Sequence, residues 1–413
     1  MSEGTAAATF FRSRWVDAPT HVRELDSRLL PAAFRAAGVA AGIKPSGELD
    51  VGVVTADEPD TVSAARFTTN ARVGAPVIVS KEADLDRLRA VTANSGCSNV
   101  GDGVRGLETA AAMQAAAAEE LGVEPGQVAV ASTGVIGVEL IRDKVVPGIR
   151  AACAELGRDT GTFSTAILTS DTGPKRACLE VALPSGAVRL SAQTKGAGMI
   201  SPCHATMFCF IQTDAVLDAA TLDLLTGVCV KRSFDRISVD GQLSTSDTVV
   251  ALANGASGVR VEAESPDELA LGEALDAVLR QLALEILHDG EGAKRVGRVV
   301  VSGNPDAVEP VARAVANSPL VKSALHGGDP NLGRILQAAG QVWPRGDPFI
   351  VDLEIEGHQV VSAGDVVEPA PAELVQGEEV EYALTLPGEG GETEVFFSDL
   401  SPEYVRFNAE YTS

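Results

Sequence analysis

Aromatic side chains are scarce in this chain of 413 residues: 12 Phe, 3 Tyr and 2 Trp make up 4%. A core with so few rings must be filled by aliphatic side chains and alanine. Positive charge is also in short supply. The 33 Lys+Arg face 57 Asp+Glu, a formal net charge of −24, which excludes a surface that holds nucleic acid by displacing counterions from phosphates. No apolar run approaches the roughly 18 residues that a membrane-spanning helix needs, and Met1 to Trp15 is not a basic segment followed by an apolar one. The six cysteines (Cys97, Cys153, Cys178, Cys203, Cys209, Cys229) include no CxxC pair. That spacing fits neither a disulfide framework nor a zinc site and points to a reducing compartment. His21, His288, His326 and His358 are scattered without metal-ligand spacing, and Gly101, Gly103 and Gly106 do not follow a strand in the dinucleotide-binding register. The expectation is a cytoplasmic protein with no metal, no cofactor, no nucleic-acid partner and no membrane partner.

What the chain does have is 45% hydrophobic residues and 41 Gly, enough for two or three domains with many turns. Short apolar runs at Val51 to Thr55, Ala65 to Thr68 and Pro76 to Ser80 alternate with polar and Gly/Pro breaks, as consecutive strands do. The alanine-rich Glu108 to Leu121 reads as a helix closed by Gly122, followed by a buried strand Val128 to Ser132 and a helix Val145 to Leu156 ended by Gly157. Further on come a strand Met207 to Gln212, a helix Asp218 to Arg232 and a long helix Asp267 to Leu287. The last ends at the turn-rich Asp289 to Gly292, which we take as the domain boundary. Beyond it, a strand Arg298 to Gly303, a helix Pro305 to Ser318 and strands Phe349 to Ile355 and Val380 to Leu386 form a smaller α/β unit, with Gly388 to Gly391 as a hairpin turn. The class expected is α/β, in layered α+β form.

Chemistry is concentrated at Lys195-Gly196-Ala197-Gly198-Met199-Ile200-Ser201-Pro202-Cys203-His204-Ala205-Thr206-Met207. A turn broken by glycine and proline, placed just before a strand, is a geometry in which strain holds a Thr hydroxyl against its own preceding carbonyl. Attack there would cut the chain and leave Thr206 with a free α-amine able to serve as the base for its own hydroxyl. The same residues also suit a plain strand start, because β-branched residues favour strands. A second segment, Ser132-Thr133-Gly134-Val135-Ile136-Gly137, runs from a strand into a glycine turn whose N–H and hydroxyl groups suit a tetrahedral oxyanion, or simply a connection. A third, Thr169-Ser170-Asp171-Thr172-Gly173-Pro174-Lys175, is rich in hydroxyls and by itself reads as a capped turn.

In this order, and together with Asn94-Ser95-Gly96, Ser238-Val239-Asp240-Gly241, Ser244-Thr245-Ser246-Asp247-Thr248, Asp289-Gly290-Glu291-Gly292-Ala293, His326-Gly327-Gly328-Asp329-Pro330-Asn331 and Asn408-Ala409-Glu410-Tyr411-Thr412-Ser413, the chain resembles the ornithine acetyltransferase family from about Ala37 to Ser413. The resemblance implies an αββα sandwich shared with certain aminopeptidases, over residues 1–290, and a smaller C-terminal α/β domain, 291–413, whose tail returns to the active site. It implies self-cleavage between Ala205 and Thr206 and acetyl transfer from N-acetylornithine to glutamate through a Thr206 acyl-enzyme. Thr133 and Gly134 match the oxyanion hole, and Thr169, Lys195, Thr206, Glu291, Asn408 and Ser413 match the substrate contacts. Two α and two β fragments per assembly are implied as well.

Two departures bear on the acyl group and its acceptor more than on the fold. Cys97-Ser98-Asn99 stands where the family usually has Asn-Ala-Asn, and Leu332 stands where it has Trp. Transfer from a different acyl-amino acid, hydrolysis with water as acceptor, or ligand sensing without catalysis are the other readings of such a site. Cys203 and His204, beside the expected cut, are read as packing residues rather than a catalytic pair.

Overall fold

The computed structural model describes residues 9–201, 207–346, 348–367 and 369–410. Residues 22–288 contain a stack of four layers. A four-stranded sheet runs in the order Phe34–Val39, Val51–Ala56, Ala90–Asn94, Val128–Ser132. Its last two strands are parallel and are joined through the helix Gly103–Leu121, as a parallel pair requires. A six-stranded sheet has the order Val22–Glu24, Lys175–Leu183, Gly186–Lys195, Phe208–Thr213, Thr248–Ala253, Val62–Phe67.

The two sheets face one another through Phe34, Val54, Val91 and Ala131 on one side and Phe208, Phe210, Val250 and Leu252 on the other. Strands buried on both faces read as continuous apolar runs, which is why Val128–Ser132 and Phe208–Thr213 show no alternation. The outer face of the smaller sheet packs Val51, Val53 and Val130 against Met113 and Ala117 of Gly103–Leu121 and Ile149 of Arg142–Ala154. Small alanines let this helix lie close to the sheet. The outer face of the larger sheet packs Leu179, Ile211 and Val249 against Leu222 and Val230 of Ala219–Arg232 and Leu275, Val278 and Leu282 of Pro266–His288. The expected αββα sandwich is therefore present.

The remaining sheet has seven strands in the order Ile237–Ser238, Gly391–Ser398, Val296–Gly303, Glu379–Thr385, Asp352–Ile355, His358–Ser362, Asp365–Val366. It has its own core, aliphatic around the stacked Tyr382 and Phe397, with the helices Pro305–Ala316, Pro319–Gly327 and Leu332–Gly340. Its edge strand, Ile237–Ser238, comes from the part of the chain that precedes residue 290.

Two expectations fail. Pro76 to Ser80 is not a strand but lies in the helix Ala75–Lys81. The β-branched Val77-Ile78-Val79 suggested a strand, but Pro76 sits in the first turn, where its missing N–H costs nothing. Ser80 Oγ then donates to Val130 O at 2.8 Å and accepts from Val130 N at 2.7 Å, docking the helix on the sheet edge. The Gly388 to Gly391 hairpin is also absent. Glu379–Thr385 and Gly391–Ser398 lie on opposite sides of Val296–Gly303, the first parallel and the second antiparallel to it. The glycines, with φ of 95° at Gly388 and 90° at Gly390, carry the chain over the end of that central strand instead.

Candidate active site

The strand Val128–Ser132 delivers Thr133 and Gly134 to one end of the four-stranded sheet. Asn94, ending the neighbouring strand, fixes this corner: its carbonyl accepts from Thr133 N at 3.0 Å, its Oδ1 accepts from Ser132 Oγ at 2.6 Å, and its Nδ2 donates to Cys97 O at 2.9 Å. Gly134 has φ 127°, and a Cβ there would come within 2.4 Å of the Gly96 carbonyl carbon and 2.7 Å of Cys97 N. Only glycine fits where two backbones approach so closely.

From the other sheet, Lys195 ends the strand Gly186–Lys195 and points its ammonium at this corner. Lys195 Nζ donates to Thr133 Oγ1 at 3.2 Å and to Thr169 Oγ1 at 2.7 Å, and the residue is 2% exposed. Burial pulls its pKa down from the usual lysine value, opposed chiefly by Asp171. Asp171 binds the surrounding loop together: it accepts from Thr169 N at 3.0 Å, Gly196 N at 2.7 Å and Lys175 Nζ at 2.7 Å. Burial alone would raise its pKa, but Lys195 and Lys175 outweigh that and hold it ionised. Lys175 also pairs with Asp289, which takes the Thr172 hydroxyl.

Glu291 meets the same loop through Ser170 Oγ, which donates to its Oε1 at 2.9 Å. Its Oε2 is buried with no hydrogen-bond partner among the described residues, and burial raises its pKa. A half-buried carboxyl with one buried, unpartnered oxygen suits an incoming ammonium group. The final helix, Pro402–Glu410, reaches this region through Ser401 and Tyr404. Ser401 Oγ donates to Glu291 O, and Tyr404 OH donates to Asp240 Oδ2 at 2.9 Å. Asp240 in turn accepts from Met199 N at 2.7 Å and Ile200 N at 3.0 Å, holding the glycine-rich turn.

The structure thus brings Thr133, Thr169 and Lys195 into direct contact and joins Glu291 to them through Ser170. Asn408 is exposed on the last helix, its Nδ2 donating to Tyr404 O at 2.9 Å. Ala205, Thr206, Cys203, His204 and Ser413 lie outside the described residues. Met207, next in the chain, is described, and its N–H donates to Asp247 Oδ1 at 3.1 Å. Asn94, Asp171, Asp240 and Asp247 were each part of a recognised motif, but nothing in their spacing marked them as the groups that tie the loops together.

The ArgJ family model matches residues 35–413. The arginine biosynthesis bifunctional protein ArgJ of Symbiobacterium thermophilum is 41% identical over 391 residues, covering 92% of this chain and 97% of the relative. The glutamate N-acetyltransferase of Methanocaldococcus jannaschii is 38% identical over 405 residues, covering 93% and 98%. Among solved structures, Mycobacterium tuberculosis ornithine acetyltransferase complexed with ornithine is similar at 36% identity over 44% of this chain and 98% of that one, with a TM-score of 0.40. The protein is an acyltransferase on a layered αββα scaffold. The chain belongs to the ArgJ family, as its motifs implied.

Proposed function

We propose that this chain cuts itself between Ala205 and Thr206 and that the resulting α and β chains, 1–205 and 206–413, move an acetyl group from N-acetylornithine to glutamate. Thr206 Oγ attacks the acetyl carbonyl, its own α-amine taking the proton, and the oxyanion is held at Thr133 and Gly134. Ornithine leaves, and glutamate takes the acetyl group from the acyl-enzyme. Glu291 receives the ammonium group of the substrate. Thr169, Lys195, Asn408 and Ser413 supply its other contacts, with no metal or cofactor taking part. The working form is an assembly of two α and two β chains in the cytoplasm.

The observation that carries this reading is the buried Lys195 ammonium shared between Thr133 Oγ1 and Thr169 Oγ1. It joins the expected oxyanion corner to the expected substrate loop, beside a carboxyl with a free oxygen. Denaturing mass spectrometry of the purified protein tests the maturation: two fragments are expected, and a sole mass near 42.6 kDa refutes it. Incubation with acetylornithine tests the transfer. Acetylglutamate must form when glutamate is present, and equal ornithine release with and without glutamate, with no acetylglutamate, would mean that water is the acceptor.

A further inference from the structure

Lys175 and Lys44 both act through space on Lys195, the lysine that meets Thr133, and the three differ in what they have left to bind. Lys195 Nζ is committed to the Thr133 and Thr169 hydroxyls, and Lys175 Nζ to the carboxylates of Asp171 and Asp289. Lys44 comes from the loop between the strands Phe34–Val39 and Val51–Ala56. Asp50, fully buried, shapes that loop: its Oδ1 accepts from Ala41 N at 2.7 Å, and its Oδ2 accepts from Ile43 N at 2.6 Å and Lys44 N at 2.9 Å. The Lys44 stem lies on Gly96, where a Cβ would come within 3.1 Å of Lys44 Cγ, and the Gly96 carbonyl carbon is the atom that closes against Gly134. The half-buried Lys44 gives one N–H, to Leu49 O at 3.0 Å, and forms no ion pair among the described residues. The rest of its ammonium is free to donate. Burial lowers the Lys44 pKa, opposed by Glu48, Asp50 and Asp171.

The transfer brings two amino acids of unlike side chain to this corner. In acetylornithine the α-nitrogen is acylated, so the free ammonium is the one that ends the side chain, and it suits the unpartnered oxygen of Glu291. Glutamate ends in a carboxylate, which that oxygen repels and which needs a cation with donors to spare. Lys44 meets that need, and a carboxylate arriving beside it favours its charged form. We propose that Lys44 selects the acceptor, holding the side-chain carboxylate of glutamate while the α-amine takes the acetyl group; this rests on the reading of the chain as an acetyl carrier between acetylornithine and glutamate. Glu291 and Lys44 divide the two amino acids by charge, the first serving the ornithine that leaves and the second the glutamate that arrives.

The test uses the purified protein with acetylornithine and two acceptors: glutamate, and isotope-labelled ornithine, whose entry into acetylornithine reports an exchange that needs no side-chain carboxylate. Lys44→Met keeps an aliphatic stem on Gly96 and removes the ammonium. Its KM for glutamate is expected to rise about 10- to 100-fold, the size of a lost hydrogen bond to a charged group, and about tenfold or more beyond any change in ornithine exchange. The preference for glutamate over glutamine, similar in shape but uncharged, should fall by a like factor, and Lys44→Arg should recover most of the glutamate KM. A glutamate KM in Lys44→Met within about threefold of the natural protein's overturns the proposal. So does a loss shared equally by ornithine exchange, which marks a structural role. A natural protein that exchanges ornithine but makes no acetylglutamate overturns the reading of the transfer itself, and the role of Lys44 with it.

Discussion

Lys195 and Lys322 are both 2% exposed, yet their surroundings have little in common. Lys195 meets two threonine hydroxyls and lies in the field of Asp171, in a cluster that also holds Lys175 and Asp289. Lys322, on the helix Pro319–Gly327, meets only backbone carbonyls, Ser238 O at 3.3 Å and Ser398 O at 2.7 Å, with its Nζ 5.2 Å from the Phe397 ring centroid. Burial pushes its pKa down to about 7, with Asp240 and Asp399 only partly offsetting the cost. The first meets the hydroxyls of Thr133 and Thr169, and Asp171 opposes the downward pull of burial on its pKa. The second bolts the edge strand Ile237–Ser238 to its neighbour Gly391–Ser398. Equal burial leaves the two lysines unlike; their partners separate them.

The largest way to break this contrast is Asp171→Asn. Removing one member of a buried charge cluster strands the others, so urea unfolding should show a loss of about 3–5 kcal/mol; an unfolding free energy within about 0.5 kcal/mol of the natural protein's, the size of a surface effect, would show the cluster to be solvated. The pH dependence has a definite sign. Asp171 has a lowered folded pKa, so its contribution is present above the unfolded value of about 3.9 and is lost as pH falls through the folded one. The acid limb of stability should be shallower in the variant.

Lys195→Met should lower kcat/KM for acetylornithine about 100-fold, in line with the loss of a group at a developing charge. In the same steady-state assay Lys322→Met should stay within threefold. Equal losses in the two would erase the distinction. Lys322 has a lowered folded pKa, so the unfolded chain binds more protons between about 7 and the usual lysine value. Stability from this group therefore rises over that window by about 1.4 kcal/mol per pH unit. Calorimetry from pH 7 to 9.5 should show that rise flattened in Lys322→Met. The smallest effect expected is from Ser318→Ala, which removes the N-cap acceptor of the helix carrying Lys322, where Ser318 Oγ accepts from Val321 N at 3.4 Å. It should cost about 1 kcal/mol in chemical denaturation and leave transfer unchanged.

Much of the architecture was legible because its signals are local. Asp218 caps Ala219–Arg232 by accepting from Thr221 N, Ser265 caps Pro266–His288 ahead of Pro266, and Gly122 ends Gly103–Leu121 at φ 67°. Where reading failed, a tertiary contact overrode the local signal. Val77-Ile78-Val79 became helical because Ser80 has a sheet edge to dock on, and Gly388 to Gly390 arch over a strand that lies far away in sequence. The site divides in the same way. Thr133, Thr169 and Lys195 stood out through their motifs, whereas Asp171 and Asp247 looked like ordinary loop carboxylates until folding placed them among amides and lysines.

The sequence by itself determined the layered sandwich and the family, since apolar runs, caps and ordered motifs are properties of neighbouring residues. Only the tertiary structure decided which polar groups share a buried space. Charge interactions grow severalfold once water is excluded, so the partners that set the ionisation of Lys195, Lys322 and Asp171 arise from packing between distant segments, and no stretch of chain contains them alone.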